Sequence, residues 1–197
     1  MFTGIITHKG HFQSYRQGKS EIVISVPLLT AQMKIGDSLS VNGVCLSLTR
    51  KDKRTLSFFI SEETRRLTTL GNLRRGEMIN LELPLTLSEP LGGHLITGHI
   101  DRTEKVVKIL KKKEGTRMVF TLNEDIRPFI IKKGSVSVNG VSLTIADLST
   151  SSFEVEIIPI TLKNTNISLL KVGSQANIEC DMIGKYVYNW WSKQSRS

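Results

Sequence analysis

The chain has only two cysteines, Cys45 and Cys180, among 197 residues. That excludes a disulfide framework and a cysteine-based metal set, and it suits a reducing compartment. Aromatic residues make up only 6%, too few for the repeated stacking platforms that single-stranded nucleic acids use beside a basic groove. No apolar run approaches the roughly 18 residues of a membrane span. The opening residues lack the basic stretch followed by a long apolar one that marks a secretory signal. The expectation is a cytoplasmic protein with no membrane segment. Carboxylates are also short, 18 against 27 Lys and Arg, for a formal net charge of +9. Such an excess often marks a polyanion binder, but here the basic residues are spread along the chain. Lys111-Lys112-Lys113-Glu114-Gly115 reads as a solvated turn between strands. Gly18-Lys19-Ser20 is similar to the end of a phosphate loop, yet Gln13 stands where that pattern needs glycine, so it too reads as a turn. Nucleic acid is not an expected partner.

What the chain does contain is repetition. Residues 38–47 read Ser-Leu-Ser-Val-Asn-Gly-Val-Cys-Leu-Ser and residues 135–144 read Ser-Val-Ser-Val-Asn-Gly-Val-Ser-Leu-Thr, identical at seven of ten positions and 97 residues apart. The same spacing aligns Thr64 with Thr161, Thr68 with Thr165, Gly76 with Gly173, and Ile79-Asn80-Leu81-Glu82 with Ala176-Asn177-Ile178-Glu179. Nearer the start the spacing is 94, where Thr3-Gly4-Ile5-Ile6 matches Thr97-Gly98-His99-Ile100, so three residues are inserted in the second copy. A period near 100 is a whole domain rather than a solenoid repeat. The boundaries that follow are residues 1–87 and 91–183, each roughly 90 residues and able to bury only a small core, and a tail helix over 184–197.

Short β-type runs bounded by turn residues dominate the first copy: 21–26, 38–41, 44–49, 55–61 and 78–83, with short helical stretches at 28–34 and 62–70. In the second copy the strands fall at 117–122, 135–138, 141–146, 153–158 and 176–180. Five or six short antiparallel strands cannot leave both sheet edges open, and a closed barrel is the economical solution. The pattern predicts an all-β protein of two similar antiparallel barrels in series. In the tail, Met182, Ile183, Tyr186, Val187, Trp190 and Trp191 fall on a helical stripe. That stripe packs either on the chain's own barrels or against the same helix of another chain.

Duplicated binding domains imply two similar ligand sites, and the informative positions are those where reactive side chains break the symmetry. Cys45 stands opposite Ser142, His99 opposite Ile5, Asp181 opposite Pro84, and Ser47 opposite Thr144. Each has a bland alternative: a buried small thiol, a structural histidine, a cap for the tail helix, ordinary strand hydroxyls. Placement favours function, because Cys45 and Ser47, like Ser142 and Thr144, alternate onto one face directly after the repeated Asn-Gly turn. His8, His11, His94 and His99 have no ligand-type neighbours at metal spacing, and no nucleotide fingerprint or hydrolytic triad is readable.

Several stretches resemble riboflavin synthases: Met1-Phe2-Thr3-Gly4-Ile5-Ile6, Asn42-Gly43-Val44-Cys45-Leu46, Gly92-Gly93-His94-Leu95-Ile96-Thr97-Gly98-His99, Lys133-Gly134, Asn139-Gly140-Val141-Ser142-Leu143-Thr144, and Asn177-Ile178-Glu179 leading to Asp181. The resemblance covers nearly the whole chain. It implies two duplicated, six-stranded, closed Greek-key barrels with a C-terminal α-helix that joins three chains. The site it implies lies between the first barrel of one chain and the second barrel of a neighbour. The implied reaction is dismutation of two molecules of 6,7-dimethyl-8-ribityllumazine to riboflavin and 5-amino-6-ribitylamino-uracil, with no metal or organic cofactor, and with a lumazine synthase shell as a further possible partner. The alternative within the same resemblance is a non-catalytic lumazine- or flavin-binding antenna protein. The implied ligand contacts of the first barrel are Phe2, Gly4, Ile5, Ile6, Cys45, Leu46, Ser47, Phe59, Ile60, Ser61, Glu62, Glu63 and Thr64. Those of the second are Gly98, His99, Ile100, Lys133, Ser142, Leu143, Thr144, Glu156, Ile157, Ile158, Pro159, Ile160 and Thr161. His99, Cys45, Ser142 and Thr144 are the implied groups for proton transfer or nucleophile addition, supported by Ser38 and Asp181. The chain departs from the family pattern at Ile160, where many members carry Glu, at Asn139, where Asp is common, and at Arg65-Arg66-Leu67, where the order after Thr64 differs.

Overall fold

The structure, a computed structural model, describes residues 1–194; residues 195–197 of the expected tail helix lie outside the described residues. The first six strands are β1 (His8–Arg16), β2 (Glu21–Ser25), β3 (Ser38–Val41), β4 (Val44–Lys51), β5 (Thr55–Phe59) and β6 (Met78–Glu82). They close antiparallel in the order β1-β2-β5-β4-β3-β6. The second six are β7 (Arg102–Lys112), β8 (Gly115–Thr121), β9 (Ser135–Val138), β10 (Val141–Leu148), β11 (Ser152–Ile157) and β12 (Gln175–Cys180), joined in the same cyclic order. Two six-stranded Greek-key barrels therefore stand in tandem, as the repeat predicts. Among the described residues four α-helices accompany them: α1 (Pro27–Thr30), α2 (Glu62–Leu67), α3 (Pro159–Asn164) and α4 (Met182–Gln194).

The period of two in the sequence decides what faces each core. In β4 Val44, Leu46 and Leu48 point inward while Cys45, Ser47 and Thr49 are more open; in β10 Val141, Leu143 and Ile145 point inward while Ser142 and Thr144 do not. Phe58 fills the first core and the stacked pair Phe120 and Phe153 the second. Burying one such ring stabilises the fold by about 1.5–3 kcal/mol. Bulges recur at matching places, in β4 between Leu48 and Arg50 and in β10 between Ile145 and Asp147, and bend each sheet toward closure.

Two strands are absent from the sequence reading, β1 and β7, the first of each barrel. Their inward positions include Gly10 and Glu104 in place of a run of large apolar residues, and most of their other side chains are polar or charged. Local hydrophobicity does not mark them. Barrel closure does, because β1 pairs with both β2 and β6, and β7 with both β8 and β12.

The repeated Asn-Gly turns are where the barrels meet. Asn42 and Gly43 have φ of 48° and 83°, and Asn139 and Gly140 have 48° and 81°, the paired left-handed conformation of a tight hairpin turn. The turns pack back to back, so that a Cβ on Gly43 would lie 2.7 Å from the Gly140 nitrogen. Around them runs a two-fold exchange of amide bonds. Asn42 Oδ1 accepts from the Asn80 N–H (2.9 Å) and Asn139 Oδ1 from the Asn177 N–H (2.8 Å). Asn80 Nδ2 donates to the Asn139 carbonyl (3.0 Å) and Asn177 Nδ2 to the Asn42 carbonyl (2.8 Å). These asparagines are almost wholly buried, and each bond left unmade would cost about 1–3 kcal/mol. The motif that makes the duplication visible is thus the joint itself.

Candidate active site

The segments before β1 and β7 cross the joint. Glu82, at the end of β6, accepts from the Thr3 N–H (2.6 Å), the Thr3 hydroxyl (2.7 Å) and the Gly4 N–H (3.0 Å). Its repeat partner Glu179 accepts from the Thr97 N–H and hydroxyl (both 2.7 Å) and the Gly98 N–H (2.9 Å). Burial pushes both carboxyls up from the ordinary glutamate value, and the donors pull them part of the way back. Phe2 and Ile96 form a two-way backbone bridge at the centre of this crossing.

Held in this way, each segment lays its next residues on the opposite barrel. The Gly4 carbonyl accepts from the Ser142 N–H of β10 (2.9 Å), and the Gly98 carbonyl accepts from the Cys45 N–H of β4 (3.0 Å). Ile6 packs on the second core and Ile100 on the first. The allotment by sequence put Gly4, Ile5 and Ile6 with the first barrel and Gly98, His99 and Ile100 with the second. The structure exchanges them, because each anchoring glutamate lies at the joint and directs its glycine across it.

Two walls result. On the first barrel, Cys45 and Ser47 lie opposite Ser40 and Ser38 of β3, with Gly98 bonded to Cys45 and the exposed His99 next in the chain. The pairing of Leu48 with Phe58 sets the start of β4 beside the end of β5, where α2 begins. Ser61 caps α2, its hydroxyl accepting from the Thr64 N–H at 3.0 Å. On the second barrel, Ser142 and Thr144 lie opposite Ser137 and Ser135 of β9, and Ile145 paired with Val155 sets the start of β10 beside the end of β11 and α3.

The second wall holds a group that sequence reasoning set aside. His94 Nδ1 lies 2.7 Å from Ser142 Oγ, and the His94 ring is only 9% exposed. Burial lowers its pKa, and the charge of Asp181 opposes that shift. A neutral imidazole with its proton on Nε2 accepts the Ser142 hydroxyl through Nδ1. Its place within Gly92-Gly93-His94 was a signal, but only the fold brings it to Ser142. Asp181 Oδ1 accepts from the Ile183 N–H at 2.9 Å and so caps α4. It also borders a cavity of about 360 Å³ between α4 and β9, with Ser135, Phe129 and Tyr188.

Other expected contacts are placed differently from a simple ligand wall. The side chains of Phe2, Leu46, Ile60, Leu143 and Ile157 are buried, leaving their backbone as the part that can meet a ligand. The Glu156 carboxylate is engaged by Lys112 (2.8 Å) and Arg117 (2.8 Å), whose hydrogen bonds hold it below the ordinary glutamate value. Lys133 is exposed and has φ of 69° where the first copy has Gly36, a conformation that is uncommon for a non-glycine residue. Ser38 and Asp181 lie on different barrels, so one chain does not gather all six implied catalytic residues at one wall. Among the described residues no group of three or more His, Cys, Asp or Glu side chains is arranged to hold a metal ion, and no helix is long and apolar enough to cross a membrane.

The lumazine binding domain family matches the chain twice, over residues 3–84 and 97–181. A riboflavin synthase of Bacillus amyloliquefaciens is 36% identical over 199 residues, covering 100% of this chain and 93% of its own. One from Actinobacillus pleuropneumoniae is 36% identical over 98% of this chain and 91% of its own. The chain belongs to the riboflavin synthase family. Among solved structures, LumP complexed with riboflavin superposes with a TM-score of 0.84 over 91% of this chain and 99% of that one, at 24% identity. LumP complexed with 6,7-dimethyl-8-(1'-D-ribityl) lumazine gives 0.82 over the same shares, at 23% identity. At those identities the likeness concerns the fold.

The departures from the riboflavin synthase pattern now have positions. Asn139 is in the joint, where its Nδ2 donates to Asn166 Oδ1 at 3.4 Å, which a carboxylate could not do. Ile160 is 56% exposed in the first turn of α3, where it supplies apolar surface in place of a charge. Arg65 and Arg66 close α2, where cations suit the helix dipole.

Proposed function

We propose that the chain catalyses the dismutation of two 6,7-dimethyl-8-ribityllumazine molecules, one giving up a four-carbon unit to the other. The products, riboflavin and 5-amino-6-ribitylamino-uracil, together hold all the atoms of the two substrates, so the transfer balances without a co-reactant. The observation that carries this reading is that two homologous walls offer different chemistry. One has the Cys45 thiol and the adjoining His99; the other has Ser142 hydrogen-bonded to a buried, neutral His94. Like sites suit two copies of one substrate, and unlike groups separate donor from acceptor.

The methyl group on ring carbon 7 is acidic because its carbanion delocalises into the pteridine. Its removal requires hydrogen-bond donors at the ring and a modest base. His94 and Ser142 act as a proton relay on the second wall, Thr144 supplies a further hydroxyl, and Cys45 and His99 serve the molecule on the first wall. Stacking two planar substrates face to face removes much of the entropic barrier to their reaction. The two walls lie on different barrels, which supports a complete site made by the first barrel of one chain and the second barrel of a neighbour, in a homotrimer. Exposed Ile183, Tyr186, Val187 and Trp190 on α4 supply the apolar surface for that assembly.

Purified protein incubated with 6,7-dimethyl-8-ribityllumazine alone is expected to release riboflavin and the uracil in equal amounts, followed by chromatography with fluorescence detection. Ser142→Ala and His99→Gln are each expected to slow release by tenfold or more. Unchanged turnover in both would overturn the residue assignment. Tight binding without turnover would place the chain with non-catalytic lumazine binders.

A further inference from the structure

A second polar cavity lies at the joint, away from both walls. Its volume is about 530 Å³, far larger than the roughly 30 Å³ share of one water molecule. Asn42 lines it and is only 2% exposed. Its Oδ1 accepts from the Asn80 N–H and from Asn166 Nδ2, but its own Nδ2 donates to no group among the described residues. The matching amide of the second copy, Asn139 Nδ2, does donate, to Asn166 Oδ1. The repeat counterpart of Asn166 is Thr69, whose Oγ1 is buried without a hydrogen-bond partner among the described residues. At the place where the second copy has Asn166, the first copy thus has a buried hydroxyl without a hydrogen-bond partner among the described residues, and Thr69 and Asn42 line one cavity.

The same cavity is bordered by Arg74 and Lys171, which occupy equivalent positions 97 residues apart. Neither side chain is in an ion pair among the described residues, and both are exposed. Their backbone N–H groups close two matching turns, onto Glu77 Oε2 (3.0 Å) and Ser174 Oγ (2.9 Å). One cation from each barrel suits a ligand with two negative charges and several acceptor oxygens. The inner donor, the inner hydroxyl and the Glu77 carboxylate suit alcohol groups.

We propose that this cavity binds a small phosphate monoester of a polyol, its phosphate between Arg74 and Lys171 and its hydroxyls at Asn42 Nδ2 and Thr69 Oγ1. The test is a titration of the isotope-labelled full chain with glycerol 3-phosphate at constant ionic strength, read by nitrogen–proton correlation spectra, with glycerol and inorganic phosphate as separate probes. Saturable shifts are expected at the Asn42 side-chain amide and at Thr69 and Arg74. Binding should weaken by about tenfold or more in the doubly substituted Arg74→Gln, Lys171→Gln chain, while that chain melts normally and releases riboflavin at an unchanged rate. Thr69→Val, which keeps the Thr69 backbone bond to Asn177, should weaken glycerol 3-phosphate more than inorganic phosphate. Shifts that do not saturate, that survive the double substitution, or that centre on Cys45 and Ser142 would overturn the proposal.

Discussion

Substituting Gly43 with Ala tests the reading of the repeated turn as the joint. The new Cβ would sit 2.7 Å from the Gly140 nitrogen and 3.0 Å from its Cα, both backbone atoms, at a residue whose φ is +83°. The left-handed conformation costs a residue with a Cβ about 1–2 kcal/mol. Forcing extra volume against packed neighbours adds about 1–3 kcal/mol. The control is Gly76→Ala, where φ is +85° and nothing lies within 4 Å, so only the conformational cost applies. For a chain of this length each kcal/mol lowers Tm by roughly 2–4 °C. Gly43→Ala is therefore expected to lower Tm by roughly 4–20 °C and Gly76→Ala by roughly 2–8 °C. Gly140→Ala should match Gly43→Ala, since its Cβ would lie 2.8 Å from the Gly43 nitrogen. The double substitution should fall short of the sum, because one opened contact relieves both. Thermal melts followed by circular dichroism, with denaturant titrations to confirm the free energies, make the comparison. Equal losses for Gly43→Ala and Gly76→Ala, within about 0.5 kcal/mol, would refute the back-to-back packing.

Three further outcomes are expected. Glu179→Gln places a donor against the Thr97 or Gly98 N–H and should destabilise by about 1–3 kcal/mol near neutral pH in denaturant titrations. Because burial raises Glu82 and Glu179 in the native state, the folded chain holds those protons more tightly than the unfolded one. Their contribution is fully present below pH 4.5, the ordinary glutamate value, and is lost as pH rises through the raised native values. Glu179→Gln should flatten that slope, and an unchanged slope would show that Glu179 does not titrate there. Of the two free thiols, Cys45 should react quickly with a disulfide reagent. Cys180, buried and with its thiol pushed up by that burial, should react only on unfolding; two fast thiols per chain would contradict the placement of Cys180. If α4 joins the proposed trimer, Tyr186→Glu combined with Trp190→Glu should shift the chain to smaller species in analytical ultracentrifugation without unfolding the barrels, since both side chains are exposed on α4. Unchanged sedimentation would remove α4 from the assembly.

Much of the chain could be read before folding. Side-chain alternation is a local property, so the facing of Cys45, Ser47, Ser142 and Thr144 followed from a period of two. The duplication, visible in the Asn-Gly stretches, implied two barrels because five or six short strands leave no stable open edge. The asymmetry of Cys45 against Ser142 was likewise written in the alignment. Pairings between segments far apart in the chain were not. β1 and β7 carry Gly10 and Glu104 at inward positions, and only the closing of each sheet makes them strands. His94 meets Ser142 from 48 residues away, a contact that depends on Glu82 and Glu179 directing the crossing segments. The partner of each asparagine was equally hidden, since buried amides take whichever donor or acceptor the packed joint presents. Periodicity settled which way each side chain points, and long-range hydrogen bonding at the joint decided which of them meet.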